Sequence, residues 1–353
     1  MEAKFRSRIE PWFDRVLILA VFMTRLGAVG AGLQISTYFD SNVSESSTRP
    51  MSSLGLKLRG NLEHGIVGKT WSAGGYLLTQ TYLDAIYREQ SKMVVNSGLN
   101  LGYRISPALQ AEASFDHFQK SFYSDSYSYR WSDYRGGLVY GDRDGRRTTR
   151  LYLLRRSTVY SVLDSIKILF SGGEWRYTGR FDQHWLLAII SRGGHTDYEN
   201  YPAWAVENDT TLIPLDHDQS DRQISGTLHF RYQGRLIFGL AGDYELNKSN
   251  SAIGDYHQFG GRGYLSARLG DKVMLHVIIQ RVNKLYRRAD LAGISAYRDP
   301  EERIQNRTYL QLERTLTANG IGYLQFSLLA NETVLNRQYY NKGIVEAGIK
   351  FKL

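Results

Sequence analysis

From residue 32 onward the chain alternates between apolar and polar positions. In residues 93–103, Met93, Val95, Leu99, Leu101 and Tyr103 share one parity, and Asn96, Gly98, Asn100 and Gly102 share the other. A strand with an apolar face and a polar face gives this period of two. The rhythm returns with Leu54, Leu56 and Leu58 around Lys57 and Arg59. It recurs with Leu109, Ala111, Ala113 and Phe115 around Gln110, Glu112, Ser114 and Asp116. Ile224, Leu228, Phe230 and Tyr232 alternate with Ser225, Thr227, His229 and Arg231, and Val273, Leu275, Val277 and Ile279 alternate with His276 and Gln280.

About sixteen strands are predicted, at 32–40, 52–64, 67–79, 90–104, 107–119, 127–140, 146–158, 164–178, 182–196, 220–234, 235–248, 256–270, 271–285, 303–317, 320–334 and 342–353. Arg150, Arg155 and Arg156 break the parity of 146–178, and a count of fourteen follows if that stretch crosses less often. Short connections at Ser106-Pro107, near Gly234, at Gly270-Asp271 and at Asn319-Gly320 alternate with longer polar ones at 41–51, 80–89, 197–219, 249–255, 286–302 and 335–341. Many of the strands reach the roughly 9–11 residues that a tilted strand needs to cross a bilayer. The expected fold is therefore all-β, a transmembrane antiparallel up-and-down β-barrel with an even number of strands.

Residues 1–31 break this pattern. Lys4, Arg6, Arg8 and Arg15 precede an apolar run from Val16 to Met23, and small residues follow from Gly27 to Gly32. That is the order of a secretory signal peptide, with cleavage expected after Ala31 or Gly30 and the barrel occupying 32–353. The run is too short to span a bilayer as a helix.

Composition adds exclusions. The mean hydropathy of −0.38 does not argue against a membrane protein here, because lumen-facing polar residues dilute the average of a barrel. With no Cys among 353 residues, disulfide scaffolds, thiolate metal sites and cysteine nucleophiles are all excluded. Twenty-five Tyr and fourteen Phe are incompatible with a disordered chain. The net charge of +9 does not indicate nucleic acid, because acidic residues are interspersed throughout; the densest basic stretch, Arg143, Arg146 and Arg147, is itself threaded by Asp142 and Asp144.

The final strand places Val345, Ala347, Ile349, Phe351 and Leu353 on one face and Glu346, Gly348, Lys350 and Lys352 on the other. A chain that stops within an alternating strand resembles bacterial outer-membrane proteins, whose last strand is read by the barrel-assembly machinery and usually ends in an aromatic residue. Here Leu353 is last and Phe351 lies two back. Residues 33–43, ending Asp40-Ser41-Asn42-Val43, resemble the opening strand of outer-membrane barrels that are porin-like or associated with surface export. The resemblance implies localisation in the outer membrane of a diderm bacterium, with lipid and lipopolysaccharide as surroundings and the assembly machinery as a partner.

The polar parity supplies the candidate site. Lys57, Arg59, Arg104, Arg135, Lys167, Arg231, Arg268 and Lys350 are assigned to the lumen wall, with Glu112, Asp116, Asp243, Glu313 and Glu346 as the acidic members. The basic excess predicts mild anion preference, unless these cations pair with the carboxylates and brace the wall. No cofactor, metal or catalytic residue is assigned. Asp216, His217, Asp218 and Asp221 are read as a solvated loop, and His229 and His276 as lumen packing. Tyr123, Tyr127, Tyr129, Trp131, Tyr134, Tyr339 and Tyr340 are read as interfacial girdle residues, with a stacking track for sugar rings as the alternative. The expected function is a passive pore for small polar, in particular anionic, solutes, and not an enzyme. The alternative is a barrel that assists export or surface display of polysaccharide or protein.

Overall fold

The computed structural model describes residues 30–42, 50–87, 90–123, 128–142, 144–160, 166–208, 211–252, 254–287, 306–331 and 340–352. They form sixteen antiparallel strands: β1 (Gly30–Asp40), β2 (Ser53–Val67), β3 (Trp71–Asp84), β4 (Lys92–Arg104), β5 (Leu109–Phe122), β6 (Tyr129–Gly141), β7 (Arg147–Tyr160), β8 (Lys167–Arg180), β9 (Trp185–Asn208), β10 (Thr211–Gln233), β11 (Leu236–Ser249), β12 (Tyr256–Arg268), β13 (Val273–Tyr286), β14 (Asn306–Thr315), β15 (Gly320–Asn331) and β16 (Tyr340–Lys352). Each strand pairs with its neighbours in sequence, and β1 closes the barrel against β16 from Gly32↔Lys352 to Asp40↔Ile344. β1 starts at Gly30, so Gly30 and Ala31 already pair with Glu63 and Leu62. The proposed leader up to residue 29, Val43, Tyr127 and Tyr339 lie outside the described residues.

The ends of the barrel differ. Connections such as 68–70, 105–108, 181–184 and 234–235 are short, and those at the other end, such as 41–52 and 287–305, are longer. Short turns mark the periplasmic side and longer loops the outside. Local chemistry sets the turns. In 181–184 the Asp182 carboxylate accepts the His184 and Trp185 backbone N–H groups at 2.6 and 2.9 Å, which holds its pKa below the usual carboxylate range.

The period of two works out as a lipid face and a lumen face. Leu33, Ile35 and Phe39 are exposed on the outside of β1, while Gln34, Ser36, Tyr38 and Asp40 are buried towards the inside. Leu99, Leu101 and Tyr103 face out from β4, and their neighbours Asn100 and Gly102 face in. Counted from the periplasmic end of each strand, outward ionisable side chains stand at most three residues in, as His64 and Arg314 do, or at least eight in, as His117, Arg155, Arg281 and Arg222 do. Between them runs an uncharged belt. A strand of thirteen residues, such as β4, tilted as in other barrels, climbs about 30 Å, enough to cross the hydrocarbon layer. Outward aromatics rim the belt. Trp71, Tyr103, Tyr140, Trp185 and Tyr232 stand near the periplasmic turns, and Phe39, Tyr134, Tyr244 and Phe259 stand towards the loops. The molecule is a transmembrane β-barrel of the outer-membrane kind, and this belt is where its wall meets the hydrocarbon layer.

Two expectations are corrected. The parity of 146–178 does hold: Arg150 and Arg156 face the lumen and Arg155 faces out, so the three arginines belong to different walls of β7. Residues 197–208 and 211–219 are strand. β9 and β10 continue past the other strands as a hairpin, with register shifts between Pro214 and Asp218 and between Asp218 and Ser220. Beyond the membrane both faces of a strand meet water, so alternation disappears and the pattern is indistinguishable from a loop. Asn200, at φ 61°, and these irregularities turn the hairpin. Trp204 N–H then donates to Ser251 Oγ at 3.1 Å, and Trp204 O accepts Ala252 N–H at 2.8 Å.

Candidate lumen site

Register places Lys57, Arg59, Arg104, Arg135, Arg231, Arg268 and Lys350 on the inward parity, together with Glu112, Asp116, Asp243, Glu313 and Glu346. Lys167 is the correction. It pairs with outward Val159, and its Nζ meets Glu199 at 3.3 Å on the outer wall. The inward set of β8 begins Ile168, Phe170, Gly172, and this partly apolar run disguises which parity faces in.

Around the closure, from β14 through β16 to β2, several inward charges are tied to one another, while Arg59 and Arg307 make no salt bridge among the described residues. Glu346 is 3% exposed. It receives Lys57 Nζ at 3.0 Å, Ser36 Oγ at 2.8 Å, Gln34 Nε2 at 3.1 Å and the Tyr323 hydroxyl. Lys342 and Asp40, both buried, pair at 3.2 Å, and Lys350 meets Glu313 at 2.6 Å. A carboxylate with this many donors is fully satisfied and holds three strands and the closure together. Lys57, Lys350, Glu313 and Glu346 therefore brace the wall.

β6 to β9 are built differently. Arg150, Arg176, Arg192, Arg135 and Arg156 climb the inner wall from near the periplasmic end into the upper half. Asp133, 2% exposed, serves both Arg135 at 3.4 Å and Arg156 at 3.0 Å, and Glu174 serves Arg176 at 3.0 Å. Arg150 stands directly opposite Arg176 in the ladder, a like-charge pairing that destabilises a sheet unless an anion or water relieves it. Neither Arg150 nor Arg192 makes a salt bridge among the described residues. The Nε atoms of Arg135, Arg150, Arg156 and Arg176 are buried without a partner. The side chains of Arg135, Arg156 and Arg176 remain about 30% exposed. Aromatic faces hold two of them in place, with Arg156 over Trp131 at 4.7 Å and Arg192 over Phe170 at 4.3 Å.

Two of the remaining candidate acids have neutral partners. Tyr152 donates to Glu112 at 2.6 Å and Tyr76 to Asp116 at 2.6 Å, while Asp243 leans across Gly260 so closely that no Cβ would fit there. Arg231 lines a recess of about 420 Å³ at the periplasmic end with Arg180, Asp182, His184 and Gln233. Sequence reading missed Arg150, Arg156, Arg176 and Arg192. The signal that finds them is cross-strand register, since Arg150 and Arg176 become neighbours only once β7 and β8 are aligned.

The girdle assignment of Tyr129 and Trp131 is also corrected. Both face inward, where Trp131 stacks on Phe118 at 5.5 Å and Tyr129 stacks on Tyr160 at 5.9 Å. Strand ends rich in aromatics do not reveal which parity they occupy. Tyr134 does face outward and is exposed.

His217 meets only Asp216, at 3.2 Å, in the exposed hairpin, and Asp221 is buried under donors from Tyr198, Asn247 and Gln219. On the outer wall Ser220 and Asp197 both approach Nε2 of His195, at 3.0 and 2.8 Å. A relay needs them on opposite ring nitrogens. In the lumen His276 does bridge Ser266 at 2.9 Å and Glu313 at 3.6 Å. That carboxylate is already paired with Lys350, and the surrounding backbone N–H groups are committed to the β12–β13 and β13–β14 ladders, so none is free to hold an oxyanion. Among the described residues no cluster of three metal-ligating side chains occurs.

No family model matches the chain, and no curated protein matches it. Solved structures do. The trimer form of in-vitro folded OmpT, an outer membrane protein of Vibrio cholerae, is 12% identical over 92% of this chain and 99% of that one, with a TM-score of 0.47. The toluene transporter TodX of P. putida is 11% identical over 93% and 90%, with a TM-score of 0.39, and the siderophore receptor PirA from Pseudomonas aeruginosa is 8% identical over 92% and 80%, also at 0.39. At that level the likeness is one of barrel shape alone.

Proposed function

We propose that the barrel is a passive outer-membrane pore for small polar solutes, with a preference for anions, and that it catalyses no reaction. Sixteen strands enclose a lumen of the width that carries an aqueous channel in porins. The observation that carries the anion preference is the arginine ladder of β6–β9, where Arg150 and Arg176 face each other and Arg150 and Arg192 lack salt-bridge partners among the described residues. Positive charge in a water-filled lumen with low-dielectric walls concentrates anions, and a series of weakly compensated guanidiniums offers successive sites from which an anion can also leave. Reversal potentials of the purified barrel in planar bilayers under a KCl gradient test this. Chloride preference is expected, and Arg150→Glu with Arg176→Glu should abolish or invert it. The absence of conductance, or cation preference in the unaltered protein, removes the reading.

The proposal includes removal of residues 1–31 on export, supported by their basic, apolar and small-residue order. Intact mass of membrane-purified protein should then begin at residue 31 or 32, and a chain retaining Lys4 overturns it.

A further inference from the structure

The outer wall of β6–β9 carries an apolar groove of about 750 Å³, floored by Gly136, Gly173 and Gly193 and walled by Leu138, Leu151, Leu153 and Trp175. Cross-strand register sets Gly136 and Gly173 on either side of Leu153 and Gly173 directly beside Gly193, so the floor lies in two parts flanking that leucine. Glycine weakens a strand, so a run of them needs a reason. On the inner face the reason is crowding: a Cβ on Gly137 would come within 2.0 Å of Leu151 O, and one on Gly194 within 2.4 Å of the Phe170 ring. On the outer face nothing in the protein requires glycine. A Cβ on Gly136 would meet nothing within 4 Å, and those on Gly173 and Gly193 would find their nearest atoms at 3.6 and 3.7 Å. The groove is room left on the lipid side.

A row of cations stands directly above it. Two residues nearer the loops on each strand, the next outward row reads Tyr134, Arg155, Ser171, His195, Arg222 and Lys248, paired in that order from β6 to β11. Arg155, Arg222 and Lys248 are exposed and make no ion pair among the described residues. The nearby carboxylates are occupied, Asp197 by His195 and Glu199 by Lys167. An outward arginine is tolerated on a barrel only towards the interface, where a lipid headgroup can meet it. This end of the wall is the outer leaflet, because it adjoins the longer loops.

We propose that this face binds a phosphorylated saccharolipid of the outer leaflet, of the lipid A kind, with an acyl chain in the glycine-floored groove and a phosphate on Arg155 and Arg222. The planar guanidinium forks suit phosphate oxygens, and Lys248 adds a third positive charge at the top of the row. A second copy of the barrel is the competing occupant, and it fits less well because it would cover these cations without supplying an anion. The site is on the lipid side and is independent of the pore reading, which conductance through the lumen tests separately.

The test uses the purified full-length barrel in phosphatidylcholine vesicles containing lipid A, dephosphorylated lipid A or phosphatidylglycerol, with retained lipid measured by native mass spectrometry after extraction. Lipid A should be retained over the other two. Arg155→Gln with Arg222→Gln should weaken retention about tenfold or more, as expected for lost charge-assisted hydrogen bonds. Gly173→Leu should also weaken it, by filling the groove with a side chain that the wall itself accommodates. Gly136→Leu serves if that variant does not show the heat-modifiable mobility of a folded barrel. Equal retention of dephosphorylated lipid A or phosphatidylglycerol overturns the proposal. So does retention unchanged in the arginine variant, or a disulfide-linked dimer formed through Gly173→Cys in the same vesicles.

Discussion

Strand order places the closure strands β14–β2 and the arginine strands β6–β9 on opposite sides of the lumen. Both walls carry inward ion pairs, and they build them in opposite ways. At the closure the side chains of Lys57 and Glu346 are 13% and 4% exposed, and the carboxylate collects donors from β1, β2 and β15. Across the lumen the carboxylates are just as buried, yet the side chains of their arginine partners remain near 30% exposed, and Arg150 and Arg176 oppose each other. Charge that is satisfied inside the wall adds rigidity and little field. Charge that is left facing water adds field and little rigidity. The first suits the place where the chain's two ends must stay joined, and the second suits a surface that meets solute.

Removing one member from each wall should give the largest difference. Glu346→Ala orphans a buried ammonium and several donors and should cost about 3–5 kcal/mol, the range for breaking a buried pair. Glu174→Gln leaves Arg176 partly exposed to lumen water and should cost about 1 kcal/mol or less. Urea unfolding in lipid vesicles, followed by tryptophan fluorescence, measures both. Similar losses would mean that the two walls are not built differently.

The contrast presupposes that polar parity means lumen, and β4 tests this midway between the two walls. Leu99→Arg puts a cation into the uncharged belt and should destabilise by about 2–4 kcal/mol, whereas Asn100→Arg faces the lumen and should fold nearly as well as the parent. Equal folding yields for the two variants would show the assigned faces to be wrong.

A smaller effect separates the walls by field. Lys57→Gln together with Glu346→Gln removes two charges that already cancel and should leave the reversal potential almost unchanged, while Arg150→Gln should reduce anion preference measurably. The difference should shrink as salt rises from 0.1 to 1 M, where the Debye length falls from about 10 to about 3 Å. Equal shifts from both variants would place the selective charge elsewhere in the lumen.

The strand count, the even closure and the two faces were all legible in the chain, because alternation against lipid is a local property of about ten residues. Legibility failed where that cause was missing. Residues 197–219 leave the membrane and lose alternation, Lys167 sits where β8 turns apolar on its inner face, and Tyr129 and Trp131 lie at a strand end where rings are found on either parity. The partners were a matter of tertiary structure throughout. Glu346 meets Gln34, Ser36 and Lys57 from the other end of the chain, Arg150 becomes a neighbour of Arg176 only through the β7–β8 register, and Gly136, Gly173 and Gly193 form one groove only once three hairpins are aligned. By itself the sequence determined which wall of the barrel a residue would face wherever its strand alternates against lipid, since that follows from period and solvent. Which charge stands beside which depends on the register of closure, and a shift of two residues would keep every face while changing every partner.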